Sequence, residues 1–264
     1  MSDVIHLGLW DVAGAAALVL LAGLVSVTLR LRMEKDLAIG VVRSTVQLFL
    51  LGYALHWIFD NVAIGFTLGA VVLMTLAAAR AGLQRSGWRV QAGFWGAFVT
   101  LILTSGVTAL FASAVLVGVE PWYHPRYVLP MLGMLLGNGL TGISLCLDSL
   151  VSSFAEGRAQ IELDLALGAT RAEASRDPIR RAVKRGIIPI INAMMVVGIV
   201  SIPGMMTGQI LAGAPPIEAV KYQLLILFLI AASTSLGSVG VAWFASRRLL
   251  DASHRVRPDR FEKV

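Results

Sequence analysis

The sequence predicts an all-α polytopic membrane protein with about seven transmembrane helices, and three observations carry that expectation. Hydrophobic residues make up 57% of the 264 and charged residues only 14%, whereas a water-soluble domain carries about 25% charged residues. The apolar residues gather into runs of about 20, the length at which a helix crosses a hydrocarbon core about 30 Å thick with its backbone groups paired internally. Between the runs, loops crowded with Lys and Arg alternate with loops almost free of them, the charge pattern of a chain that crosses the bilayer at each run. The lone cysteine, Cys146, excludes an internal disulfide or a zinc ribbon. The net charge of +6 does not gather into one basic stripe, so no nucleic-acid partner is expected.

The first span, residues 8–29, has no Lys or Arg before it and Arg30 and Arg32 after it, the reverse of a secretory signal, so it should persist as a helix with the N-terminus outside. The second, 37–59, carries Arg43 and Gln47 four residues apart on one face, about 9 Å in from its charged end. Polar groups at that depth face protein or water, and the choice lies between a substrate path and an arginine that snorkels toward Glu34 or Asp36. The third span, 62–79, is the shortest, and the fourth, 92–119, is long enough to tilt.

The fifth span, 128–150, contains Gly133 and Gly137 at GxxxG spacing, followed by a literal GxGxxG from Gly137 to Gly142. A dinucleotide fingerprint needs a strand before it, so small residues for close helix contact are the better reading. Asn138 and Asp148 lie in this span and Asn192 in the sixth. Each is a candidate path residue whose alternative is an interhelical hydrogen bond.

Residues 151–186 form the longest charged connection and carry helical punctuation. Gly168 stands where a left-handed residue would end a helix, and Thr170 and Glu173 have capping-box spacing. Asp177-Pro178 repeats the start signal, with Asp177 as N-cap and Pro178 at the first helical position. Helix, glycine turn, short helix and a basic approach to the next span are expected here. The sixth span, 187–206, should break near Pro203, Gly204 and Gly208, where exposed carbonyls are tolerated only against protein or a wet cavity, and Gln209 lies beside that break. Met194, Met195, Met205 and Met206 around it could serve as soft metal ligands, and packing is the better reading. The seventh span, 219–246, is followed by a basic tail, 247–264. Nineteen of the 22 Lys and Arg fall in the loops after spans one, three and five and in the tail, which places those segments and the C-terminus in the cytoplasm. The chain reads as a single permease domain, 1–264.

Catalytic constellations are missing from the sequence. The four histidines are scattered, no GxSxG occurs, and without a Gly-Lys dipeptide there is no phosphate-cradling loop. No metal ligand set and no cofactor bound by this chain are expected, and ATP-driven work would have to come from a partner. A membrane-embedded enzyme remains a rival that would need a base near Asp148. A carrier of an anion or nucleotide sugar is another, with Arg43 as counter-charge.

The stretch IIPIINAMMVVGIVSIPGMMTGQILAGA at 187–214, with KYQLLILFLIAA after it, resembles the FetB/YbbM-type permease family (UPF0014). Arg43-Ser-Thr-Val-Gln47-Leu48, Gly133-Met134, Gly137-Asn138 and residues 162–170 support the resemblance over nearly the whole chain. It implies the membrane subunit of an ABC transporter in the inner (plasma) membrane, two copies of which join two cytoplasmic ATPase subunits that hold ATP and magnesium. It implies iron, or a related metal cation, as exported cargo. It also implies a coupling segment seated on the ATPase, formed by Glu162, Leu163, Asp164, Leu165, Ala166, Leu167, Gly168, Ala169, Thr170, Arg171 and Glu173. Arg43, Gln47, Asn138, Asp148, Asn192 and Gln209 are the expected path residues, and Pro203, Gly204 and Gly208 the expected helix break.

Overall fold

The computed structural model describes residues 8–60, 62–90, 93–250, 257 and 261–263. It is helical apart from one two-stranded ribbon, and six of its helical stretches are long and apolar enough to cross a membrane. Contacts divide the chain into two compact units, Met1–Val62 with Leu211–Gly213 and the remainder.

The first unit is an antiparallel pair, α1 (Leu9–Thr28) and α2 (Glu34–Asp60). Its tight turn is organised by Ser26, which is buried: the Ser26 hydroxyl donates to Glu34 Oε2 at 3.1 Å and accepts from the Met33 N–H at 3.0 Å. Arg30 and Arg32 hold left-handed backbone conformations with φ of 53° and 59°, an uncommon state for residues with a Cβ that the surrounding turn must enforce. Along α2 no residue is buried, as suits a helix whose apolar side chains meet lipid.

The second unit begins with α3 (Ile64–Gln84), which runs past the expected end at residue 79. A single arginine does not stop a helix whose side chain can reach toward the interface, so Arg80 lies within the helix rather than in a loop. Strand β1 (Trp88–Val90) pairs antiparallel with β2 (Phe261–Lys263), a ribbon that the apolar periodicity could not reveal. The fourth span, Gly93–Val117, is continuous but uneven: α4 (Gly93–Leu101), a π-helical turn (Ile102–Gly106), α5 (Val107–Phe111) and a second π-helical segment (Ala112–Val117). It ends at Gly118, whose φ of 68° is left-handed.

Helix α6 (Pro125–Glu156) is the axle of this unit, with buried side chains on most of its turns from Pro125 to Phe154. Its 32 residues extend about 48 Å, more than a bilayer core needs. The excess leads into α7 (Arg158–Ala166), α8 (Arg171–Ala174) and α9 (Arg176–Val196). The expected loop 151–186 is therefore mostly helix. Asp177 is not an N-cap: α9 starts at Arg176 after Ser175, and Asp177 and Pro178 sit in its first turn, where a carboxylate and a proline both suit the unpaired N–H groups.

The sixth expected span is not one helix. Helix α9 stops at Val196, residues 197–203 are non-helical, and α10 (Gly204–Leu211) follows. Six continuous candidates therefore stand where seven spans were expected. The last helix, α11 (Pro216–Leu249), runs beside α4, α6 and α9.

Small residues set these contacts. A Cβ on Gly186 of α9 would lie 2.7 Å from the Gly142 carbonyl of α6 and 2.6 Å from Ser238 Oγ of α11; one on Gly142 would lie 3.0 Å from the Gly186 carbonyl. Along the α4–α11 seam, Gly96 faces the Phe244 ring with no room for a methyl, Gly240 faces Thr100, and the Ser105 and Ser233 hydroxyls share a buried hydrogen bond of 2.9 Å. Such a bond contributes only about 0.6 kcal/mol between membrane helices, so close backbone packing contributes more. In contrast, Gly137 of the GxxxG pair has nothing within 4 Å of its missing Cβ. The tight helix packing of the fifth span therefore belongs to Gly139 and Gly142, while Gly133 makes only an ordinary contact, 3.7 Å to Met74 Cε of α3.

Replacing Gly186 with Ala should lower stability by about 1–3 kcal/mol through overpacking. Gly137→Ala should be neutral or stabilising by up to about 1 kcal/mol. Thermal unfolding of both variants in detergent, followed by tryptophan fluorescence, checks the contrast.

Candidate functional site: an interrupted helix and a helical hairpin

At one end of the second unit α7 and α8 form a hairpin whose turn follows from Gly168. Its φ is 97°, a conformation nearly closed to residues with a Cβ. The Gly168 N–H donates to the Leu165 carbonyl at 3.2 Å and the Ala169 N–H to the Asp164 carbonyl at 3.0 Å, the paired bonds of a Schellman cap. Thr170 opens α8 with the expected capping box: the Glu173 N–H donates to Thr170 Oγ1 at 3.3 Å, and the Thr170 N–H donates back to Glu173 Oε2 at 2.8 Å. The Thr170 hydroxyl and N–H hold the exposed Glu173 carboxyl below its ordinary pKa.

The hairpin has two apolar faces that the sequence did not separate. Ile161 and Leu165 are buried against the bundle, as is Ala174, whereas Leu163 and Leu167, also four apart, are exposed at 51% and 79%. The hairpin's polar side chains pair locally, Arg158 with Glu162 at 2.8 Å and Gln160 with Asp164 at 2.9 Å. Ala166 and Arg171 are exposed and Ala169 is half-buried. Only Ser175 separates α8 from α9, so the hairpin continues directly into a rod about 31 Å long.

At the far end of that rod the helix is interrupted. Gly198 takes a φ of 83°, its N–H donates to the Ser201 carbonyl at 2.9 Å, and Val200 N–H still reaches back to Val196 at 2.9 Å. The break precedes the expected position because Gly198 turns the chain first. Pro203 and Gly204 begin α10 rather than end a helix, and Gly208 is helical within it, in keeping with proline's tolerance at a helix start. Residues Val197, Gly198, Ile202, Met206, Gln223 and Leu227 border a cavity of about 330 Å³ between the break and α11. Gln223 Oε1 is buried without a hydrogen-bond partner among the described residues, and so is Gln209 Oε1 of α10. Gln223 is the residue that sequence reasoning missed. Its signal was a lone amide in an apolar run, just beyond Lys221.

The other expected path residues fall on several elements. Arg43 and Gln47 are exposed on α2 of the first unit, and Arg43 makes no ion pair among the described residues. Asn138 is exposed and donates to the Met134 carbonyl of its own helix at 3.0 Å; Asn192 is exposed on α9. These two lie about 6 and 9 Å beyond the Gly142–Gly186 crossing, on the side of the break. Asp148 sits at the opposite end, half-buried, with Oδ1 beside Gly87 in the turn before β1. Among the described residues no three of His, Cys, Asp and Glu converge as a metal-binding group.

Thr170→Ala should speed amide exchange of residues 171–174 several-fold, read by hydrogen-exchange mass spectrometry. Because Glu173 has a depressed pKa in the fold, the cap's contribution is present above the unfolded carboxyl pKa and is lost as pH falls through the lower folded value. Exchange in the wild type should therefore loosen only at acidity below the ordinary carboxylate range.

A family model described as "Uncharacterised protein family (UPF0014)" matches residues 9–250. "Probable iron export permease protein FetB" of Escherichia coli is 33% identical, over 93% of this chain and 93% of its own length. "UPF0014 membrane protein YjkA" of Bacillus subtilis is 37% identical over 84% of this chain and 87% of its own, and "Protein ALUMINUM SENSITIVE 3" of Arabidopsis thaliana 31% identical over 88% and 84%. No solved structure gives a significant match. With six membrane-length helices among the described residues and a family match that spans all of them, the chain belongs to the UPF0014 family of membrane proteins.

Proposed function

We propose that this chain is the permease subunit of an ABC transporter that exports iron, or a related metal cation, with ATP and magnesium held by a separate cytoplasmic ATPase subunit. Two copies of the chain and two ATPases would form the working complex in the inner membrane. The N-terminus would lie outside and the C-terminus inside. The second half of α9, the interrupted segment and α10 would together make the seventh crossing of a single permease domain.

The observation that carries the reading is the α7–α8 hairpin. It presents Leu163 and Leu167 outward beside a glycine-fixed turn, the form of a small docking element, and it joins a rod that ends at the interrupted helix. Closure of the ATPase pair would push the hairpin, tip α9 about its crossing with α6 at Gly142 and Gly186, and change the cavity at the break. Support for the cargo comes from the name of the Escherichia coli relative. The ligands available at the break are neutral: the Gln223 amide oxygen, the Met206 thioether and main-chain carbonyls. Neutral ligands hold a cation loosely, which suits a site that must release its load.

The experiment is reconstitution with a candidate ABC ATPase subunit from the same genome. Gly168→Val, which forces a β-branched residue into left-handed backbone, should cut permease-dependent ATPase activity at least tenfold; an unchanged rate sinks the coupling role. Gln223→Leu should lower metal efflux from loaded cells several-fold while leaving complex assembly intact. Equal intracellular iron with and without the wild-type gene under iron load would remove the metal assignment and leave the transporter reading standing.

A further inference from the structure

Helix α9 carries its side chains in three parallel rows at four-residue spacing. Pro178, Ala182, Gly186 and Ile190 are buried. Beside them run Ile179, Val183 and Ile187, half-buried, and then Ile191. The third row is Arg176, Arg180 and Lys184, all exposed and none in an ion pair among the described residues. The last two rows, with Val239 of α11, border a groove of about 680 Å³. A neighbouring groove of about 570 Å³ shares Ile179 with it and adds Arg247, whose guanidinium stacks 4.0 Å over the Trp243 ring.

Two features of this arrangement select its occupant. Charge is confined to the end of α9 that emerges from the hairpin, while the aliphatic row continues seven residues past Lys184, about 10 Å along the axis. An anion on a long apolar tail matches both parts at once, with Trp243 at the level where aromatic rings meet headgroups. A second copy of this chain related by a two-fold axis would bring the cationic row against itself, and a soluble protein would meet only the polar end.

We propose that the groove between α9 and α11 binds an anionic phospholipid, its headgroup phosphate between Arg176, Arg180 and Lys184 and one acyl chain along Val183, Ile187 and Ile191. The lipid would wedge beside α9 at the Gly186 crossing and so stabilise one tilt of that helix.

The test is native mass spectrometry of the purified full chain in detergent, titrated with phosphatidylglycerol, with phosphatidylcholine of the same acyl chains, and with inorganic phosphate. Phosphatidylglycerol should be retained at a concentration at least tenfold lower than phosphatidylcholine, and phosphate alone should not be retained. Arg176→Gln with Arg180→Gln and Lys184→Gln should abolish the preference, and Ile187→Trp, which fills the groove and leaves the cations in place, should weaken retention of phosphatidylglycerol at least fivefold. Equal retention of the two lipids, retention of phosphate as tight as that of phosphatidylglycerol, or an unchanged triple variant each overturns the proposal. So does a wild-type dimer that the triple variant converts to a monomer without lipid present, which would give the face to self-association. Should either variant lose its wild-type elution and unfolding profile, photoactivatable phosphatidylglycerol on the wild type decides: label within residues 176–191 supports the site, and label confined elsewhere overturns it.

Discussion

The second unit depends on one steric constraint, the absence of side chains where α6, α9 and α11 meet. Gly142 and Gly186 bring two backbones within carbonyl contact, and Ser238 of the third helix fills the remaining space. Lipid tails are as apolar as leucine, so helices in a bilayer gain little from hiding hydrophobic surface and associate instead by packing and hydrogen bonds. Three helices at such short range gain dispersion contacts that larger side chains would forbid. The same crossing is where α9 comes closest to both neighbours, and its buried row continues from Pro178 to Ile190 on either side.

Around that point the polar groups divide by depth. The Ser105–Ser233 bond and the Cys146 thiol donating to the Ser238 carbonyl at 3.4 Å tie helices within the apolar zone. At the hairpin end the Trp88 indole N–H donates to Ser152 at 3.0 Å, joining β1 to the extension of α6. At the other end the amide oxygens of Gln209 and Gln223 have no hydrogen-bond partner among the described residues. Thr234 Oγ1 and Ser238 Oγ, nearer the crossing, are likewise buried without a partner among the described residues, and buried unpaired acceptors are costly in any fold.

Much of this was legible in the sequence, and the parts that were not have identifiable physical reasons. Run lengths and the Lys and Arg alternation gave the long helices, because hydropathy and charge act locally. Gly168, Thr170 and Glu173 foretold the hairpin, since a left-handed cap and a capping box are set within six residues. The break moved from Pro203 to Gly198 because proline both ends helices and begins them, and local sequence does not distinguish the two uses. Gly133 and Gly137 advertised a packing motif that Gly139 and Gly142 fulfil, since which glycine faces a neighbour depends on helix rotation. Gln223 showed only as a lone amide in an apolar run for a similar reason: the cavity it borders is walled by residues some 20 positions earlier. For Arg43, Gln47, Asn138 and Asn192, membrane depth could be read from position, but the direction each faces could not.

The short ribbon between β1 and β2 has a consequence for biosynthesis. Trp88 pairs with Lys263, and Val90 with Phe261, so β1 can pair only after about 170 further residues have been made. Closing so long a loop is slow and comes late. Until then β1 presents open backbone groups to its surroundings. A ribosome that stops short of residue 261 would release a chain that has every described helix through α11 but whose clasp has nothing to fasten.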